Sequence, residues 1–236
     1  VGLLTRARRW RDGAGIDRAV ITTPPEGAPR PTAGALRLVE IRSENPASVD
    51  MSVYVEEMYE HCPFLQASTA RGMTGWTVYE VTAGFDRYAV EAELFLAAVH
   101  AAERVRLLAK RHGALACENI VVLAGAPDPD QRHLMAWPHW ALKHLYAPVG
   151  IMFGKFAQGV QESDRSGRNI PPAPFSFLSV RASVRRLDPI FLKDTPDLST
   201  ALAGADDDGR DVFEKIPCDW KTVREWASSL PAPRKP

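Results

Sequence analysis

The sequence predicts an α+β protein, a mixed β-sheet with one long amphipathic helix and a second helix packed on it. Three observations carry that expectation. From Asp86 to Arg111 apolar residues recur at three- and four-residue steps, short β-branched and aromatic runs lie on both sides, and the order is strand, helix, strand, helix, strand, strand.

Residues 1–46 read as an irregular N-terminal extension, with a basic start (Arg6, Arg8, Arg9, Arg11) and a Pro/Gly run from Pro24 to Pro31 that works against regular structure. Leu36, Val39 and Ile41 could add an edge strand to the core domain, which is expected over 47–192. Val49, Val53 and Met58 mark a short helix that ends at His61-Cys62-Pro63, because the residue before proline avoids the helical region. Trp76, Val78 and Val81 define a strand over about 75–82. The long helix follows, with Val90, Leu94, Ala97, Ala101, Val105 and Leu108 as its apolar stripe. Arg106, Lys110, Arg111 and His112 gather where its dipole favours cations, and Gly113 stops it.

Asn119 to Ala124 is apolar and bounded by Gly125 and Pro127, the signature of a strand buried on both faces and hence of the sheet centre. Asp128 to Asp130 can cap a second helix reaching Leu145, which Pro138 must kink or restart. Val149–Phe156 and Phe175–Val180 are strands on either side of an Arg-rich loop at 157–173. Residues 193–236 form a tail with an acidic run, Asp206 to Asp208, and a short docking helix within Val212–Trp226.

Lys plus Arg and Asp plus Glu are 29 each, so no net charge draws the chain to nucleic acid or an acidic membrane. Three widely spaced cysteines fit neither a disulfide framework nor a zinc pattern, and imply a reducing, cytoplasmic setting. No signal-peptide core and no membrane-spanning run is present in the sequence. Dinucleotide, P-loop, nucleophile-elbow and zincin motifs are also missing.

Reactive side chains fall into three groups. Cys62, followed by Pro63 with no N–H to offer, reads either as a buried structural thiol or as the thiolate ligand of a haem. Lys155 and Arg181 near strand ends, with Arg168 in the loop, either hold an anion if those strands are neighbours or belong to a solvated loop with ion pairs to Glu162, Asp164 and Asp188. On the second helix His139 and His144 are five apart, which does not suit paired metal ligands, but one histidine could be a general base.

Cys62-Pro63-Phe64, Gly150 to Phe156, Pro172 to Phe175, Val180-Arg181 and Asp188 to Leu192 together resemble an uncharacterised bacterial family common in actinobacterial secondary-metabolite gene clusters. That family's glycine-rich strand reads Gly-Glu-Phe and then His-Pro, whereas this chain has Gly154-Lys155-Phe156-Ala157-Gln158. A basic residue replaces the acidic one and the histidine is missing, so neither role transfers. The natural-product setting implies a tailoring enzyme similar to the aziridine-forming proteins of azinomycin-type pathways, in which an amine displaces a neighbouring sulfate. It implies a small amino-acid-derived substrate, free or carrier-bound, a homologous protein partner forming a dimer, and no cofactor. On this reading Lys155, Arg181 and Arg168 bind the substrate's anion, and His144 or Glu118 is the base. The alternatives are a haem-thiolate N-oxygenase built on Cys62 and a non-catalytic partner subunit.

Overall fold

A computed structural model describes residues 34–62, 64–124, 131–164, 167–192 and 194–231. The extension up to residue 33, Pro63, the Asp128–Asp130 cap, Arg165 and the end of the tail from residue 232 lie outside the described residues. The described chain is an α+β fold around a mixed five-stranded sheet in the order β1-β2-β3-β7-β4.

β1 (Leu36–Ser43) is an edge strand, antiparallel to β2 (Thr74–Val81) with two register shifts, and it lies within the stretch expected to be irregular. Between them come α1 (Ser52–Met58) and a second helix that the sequence did not announce, α2 (Leu65–Thr69). β2 leads into α3 (Arg87–His112), which starts where the Asp86 side chain accepts a hydrogen bond from Ala89 N–H at 2.8 Å. After a 3₁₀ turn the chain returns as β3 (Cys117–Leu123), parallel to β2 and central in the sheet. α4 (Gln131–Leu134) and α5 (Ala136–Tyr146) are separate helices, and Pro138 sits in the first turn of α5, where its missing N–H breaks no intrahelical bond.

β4 (Ile151–Phe156) is the other edge strand. The connecting loop carries its own small hairpin, β5 (Glu162–Ser163) with β6 (Asn169–Ile170), before β7 (Ser176–Ala182) inserts antiparallel between β3 and β4. α6 (Asp188–Phe191) ends the stretch expected as the core domain, and the region expected to be a tail holds α7 (Pro196–Ala203) and α8 (Trp220–Ser228). Trp220, Val223 and Ala227 of α8 are buried in the main core.

Residues directly opposite in the ladders share a face, so the register divides the sheet cleanly. Ile120, Leu178, Val180, Ile151 and Phe153 point to the helical face, where α3, α5 and α8 cover them. The most buried line of α3 runs through Leu94, Phe95, Ala98, Ala102 and Val105, slightly rotated from the expected stripe so that small alanines lie against the sheet. On the other face Trp76, Val78, Val121 and Phe177 pack against Tyr54, Val55 and Met58 from α1. Phe156 stacks on Phe177 at 4.6 Å, and Trp76 and Tyr54 meet the same ring edge-on.

One ion pair crosses the sheet laterally. Arg42 of β1 reaches over Gly75 of β2 and donates from Nε to Glu118 of β3 at 2.7 Å. A Cβ on Gly75 would lie 2.5 Å from Arg42 Nε and 2.6 Å from Glu118 Oε2, so the crossing requires a residue with no side chain there.

Candidate functional site

The end of the aromatic face nearest the start of β3 is polar. Thr74, Cys117 and Arg181 stand side by side across β2, β3 and β7, and Asn119 and Ser179 are the next pair along. α2 covers this end through Ser68, whose hydroxyl lies 2.7 Å from that of Thr74 and donates to the Leu115 carbonyl at 2.6 Å. Cys117 has Ser179 Oγ at 3.6 Å. Burial pushes the Cys117 thiol up to about 11, against the opposing pull of Ser179 and Arg181, so at neutral pH it is a thiol.

Arg181 is held by a buried carboxylate. Its two terminal nitrogens each donate to Asp188 at 2.7 Å, and Val184 N–H donates to the same carboxylate. Burial disfavours the guanidinium charge, but the hydrogen bonds and attraction of Asp188 outweigh it and raise the Arg181 pKa. Cys62 and Cys117 both lie within electrostatic reach of this cation.

Cys62 follows His61, and His61 has a partner no local pattern announced. Its Nδ1 lies 3.0 Å from Asp164 Oδ2, at the turn of the β5–β6 hairpin, and both side chains are about nine-tenths buried (11% exposed). The hairpin fixes that carboxylate, because Arg168 donates to it from its backbone N–H at 3.0 Å and from Nε at 2.8 Å. Arg168 also donates to the Glu60 carbonyl at 2.9 Å, which ties the hairpin to the segment bearing His61 and Cys62. A carboxylate on Nδ1–H leaves Nε2 with the lone pair, the tautomer in which histidine accepts a proton.

The sequence-nominated residues therefore separate. Cys62, Arg168 and Arg181 belong to one neighbourhood, joined through Glu60, His61 and Cys62. Lys155 does not join Arg181 there. Arg181 is opposite Met152 and Lys155 is opposite Leu178, an odd offset that sends the two side chains to opposite faces of neighbouring strands. Arg181 moreover has its fork on Asp188, next to the end of β7.

Lys155 keeps company with Lys143 and His139 of α5. Burial, then the charges of Lys143 and Lys155, hold the His139 pKa well below that of an ordinary histidine, and its Nε2 donates to the Phe153 carbonyl at 3.2 Å. Glu118, the other expected base, is buried on the helical face and paired with Arg42, away from the His61–Asp164 dyad. His144 lies between the rings of Trp140 at 4.4 Å and Trp226 at 6.4 Å, away from the His61–Asp164 dyad, and burial and then the charge of Lys143 hold its pKa below the ordinary value.

Sequence reasoning offered Asp164 and Asp188 only as ion-pair partners of the nearby arginines, a pairing seen in Arg168–Asp164 and Arg181–Asp188, and gave no chemical role to His61, Cys117 or Ser179. Only the His61-Cys62 dipeptide carried a local signal. Among the described residues no group of three or more His, Cys, Asp or Glu is placed to hold a metal ion, and no helix is long and apolar enough to cross a membrane.

Fold and site together define an α+β protein with a histidine–aspartate dyad and a clamped arginine at one end of its sheet. No family model, no curated protein and no solved structure matches the chain.

Proposed function

We propose that this chain is a natural-product tailoring enzyme that acts on a small amino-acid-derived intermediate and closes an aziridine by intramolecular displacement. The observation that supports this reading is the His61–Asp164 hydrogen bond, which presents an oriented base beside Arg168 and Cys62. The amine nitrogen forms a bond to the adjacent carbon, the C–O bond to a sulfate or similar anion breaks with its electron pair, and His61 Nε2 takes the proton lost by nitrogen. Arg168 supplies positive charge beside the dyad for the departing anion. Holding amine and carbon in line accounts for a large share of the rate, since orientation alone is worth about 7–11 kcal/mol. The family resemblance carried by Cys62, Gly154, Phe156 and Arg181 supports the same setting.

The test is sulfate release from a synthetic vicinal amino sulfate ester, with and without the homologous partner chain that the resemblance implies. His61→Gln is expected to lower turnover by about 10²–10⁴-fold, the usual worth of a general base. Wild-type turnover in both His61→Gln and Asp164→Asn would sink the proposal. A stoichiometric Soret band on the purified protein would replace it with haem-thiolate chemistry at Cys62.

A further inference from the structure

A cluster of three nitrogen bases lies away from the dyad, where α5 packs on the edge strand β4. His139 Nε2 donates to the Phe153 carbonyl at 3.2 Å, which fixes one turn of α5 against the middle of β4. Lys143 comes one turn later on the same side of the helix, and Lys155 comes two residues after Phe153 on the same side of the strand. Both lysines are partly buried, both act electrostatically on His139, and Lys155 acts on Lys143.

The surroundings of Lys143 do not balance its charge. Among the described residues no carboxylate pairs with it and no hydrogen bond reaches its Nζ. The titratable groups around it are His139 and His144 on α5 and Lys155 on β4, and both histidines are held below the ordinary histidine pKa, chiefly by burial, so neither carries a charge at neutral pH. Burial and then the like charge of Lys155 hold the Lys143 pKa below that of an ordinary lysine. Its Nζ nonetheless keeps accessible surface, unlike the sealed Nε2 of the adjacent His144. A partly desolvated lysine beside another cation gives up its proton readily, and the neutral amine is a nucleophile. A bound anion would need both lysines to turn to one ligand, and Lys155 already interacts with another group. The amine reading uses the Lys155 charge where it stands.

We propose that Lys143 is an imine-forming site for the carbonyl group of a small aldehyde or ketone. Nζ adds its lone pair to the carbonyl carbon, the π pair of C=O moves to oxygen, and one proton passes from nitrogen to that oxygen. The oxygen then leaves as water with the second nitrogen proton, and a C=N bond remains. The Lys155 charge favours the alkoxide stage of the addition. The site is independent of the His61 dyad and stands whether or not that dyad performs the displacement.

The test is reductive labelling of the full chain with propanal and sodium cyanoborohydride at pH 7, followed by peptide mass mapping. A propyl group should appear on Lys143 several-fold faster than on Lys110, Lys215 and Lys221, which are exposed and serve as internal references. No mark should form when the cyanoborohydride is left out, because an unreduced imine hydrolyses. Lys155→Gln removes the like charge and should slow the mark on Lys143 several-fold, with the three references unchanged. Lys143→Arg should remove the leading mark alone. The proposal is overturned if Lys143 is labelled no faster than the exposed lysines, if the mark forms without the hydride, or if Lys155→Gln leaves its rate unchanged.

Discussion

The two faces of the sheet are made by the same strands and do different work. On β7, Leu178 and Val180 enter the helical core while Ser179 and Arg181 face the polar end of the other side. On β3, Ile120 and Val122 do the first and Cys117 and Asn119 the second. The helical face is covered by three helices and holds the larger apolar cluster, with Glu118 and Lys155 on the same face. The other face is half aromatic cluster and half polar site, covered by short helices and a hairpin. Period-two alternation lets one strand anchor the fold and present chemistry at once, so the two roles can be separated by substitution.

The largest effect should come from the helical face. Phe95→Ala is expected to cost about 3–5 kcal/mol in urea unfolding, because a fully buried ring leaves a cavity. Asp188→Ala, on the polar side, should approach that figure at about 3–5 kcal/mol by leaving the Arg181 charge buried without its partner. It would break the comparison if it unfolded the chain no more than an exposed substitution does. Asp164→Asn sharpens the contrast from the other direction. It should reduce turnover by the same order as His61→Gln while shifting unfolding by about 1 kcal/mol or less, since only a local hydrogen-bond cluster is weakened.

A smaller loss, about 1 kcal/mol, is expected of Asp86→Ala from the lost N-cap of α3. The smallest effect is a pH dependence. His139 has a folded pKa below its unfolded value of about 6.5, so its contribution is fully present above that pH and is lost as the pH falls towards the folded pKa. Urea midpoints should therefore decline below about pH 6.5 less steeply in His139→Gln than in wild type.

Much of the fold was legible because its signals are local. α3 carries its own stripe, cap and stop, and β3 announces itself as one apolar run bounded by breakers. The site was not legible because its contacts are distant. His61 and Asp164 are 103 residues apart, and nothing near either residue specifies the other. The Lys155–Arg181 expectation failed for a different reason. β4 and β7 are joined by a long loop rather than a two-residue turn, so their register is not set by turn chemistry, and one residue of slip decides which face each side chain takes. The docking helix at the C-terminus was visible in Trp220 and its neighbours, whereas α7 emerged only with the packing of Leu198 and Leu202.

The empty place above Gly75 also has a consequence for how the chain can vary. Positions 42, 75 and 118 behave as one unit, because a methyl group at 75 is excluded only while the guanidinium and carboxylate meet above it. Alanine at 75 should loosen the attachment of β1 in the natural background, and should be harmless or favourable once Arg42 and Glu118 are both replaced by apolar residues. The same substitution then changes sign with its background, and the outermost strand depends on the identity of a residue whose contribution is the side chain it lacks.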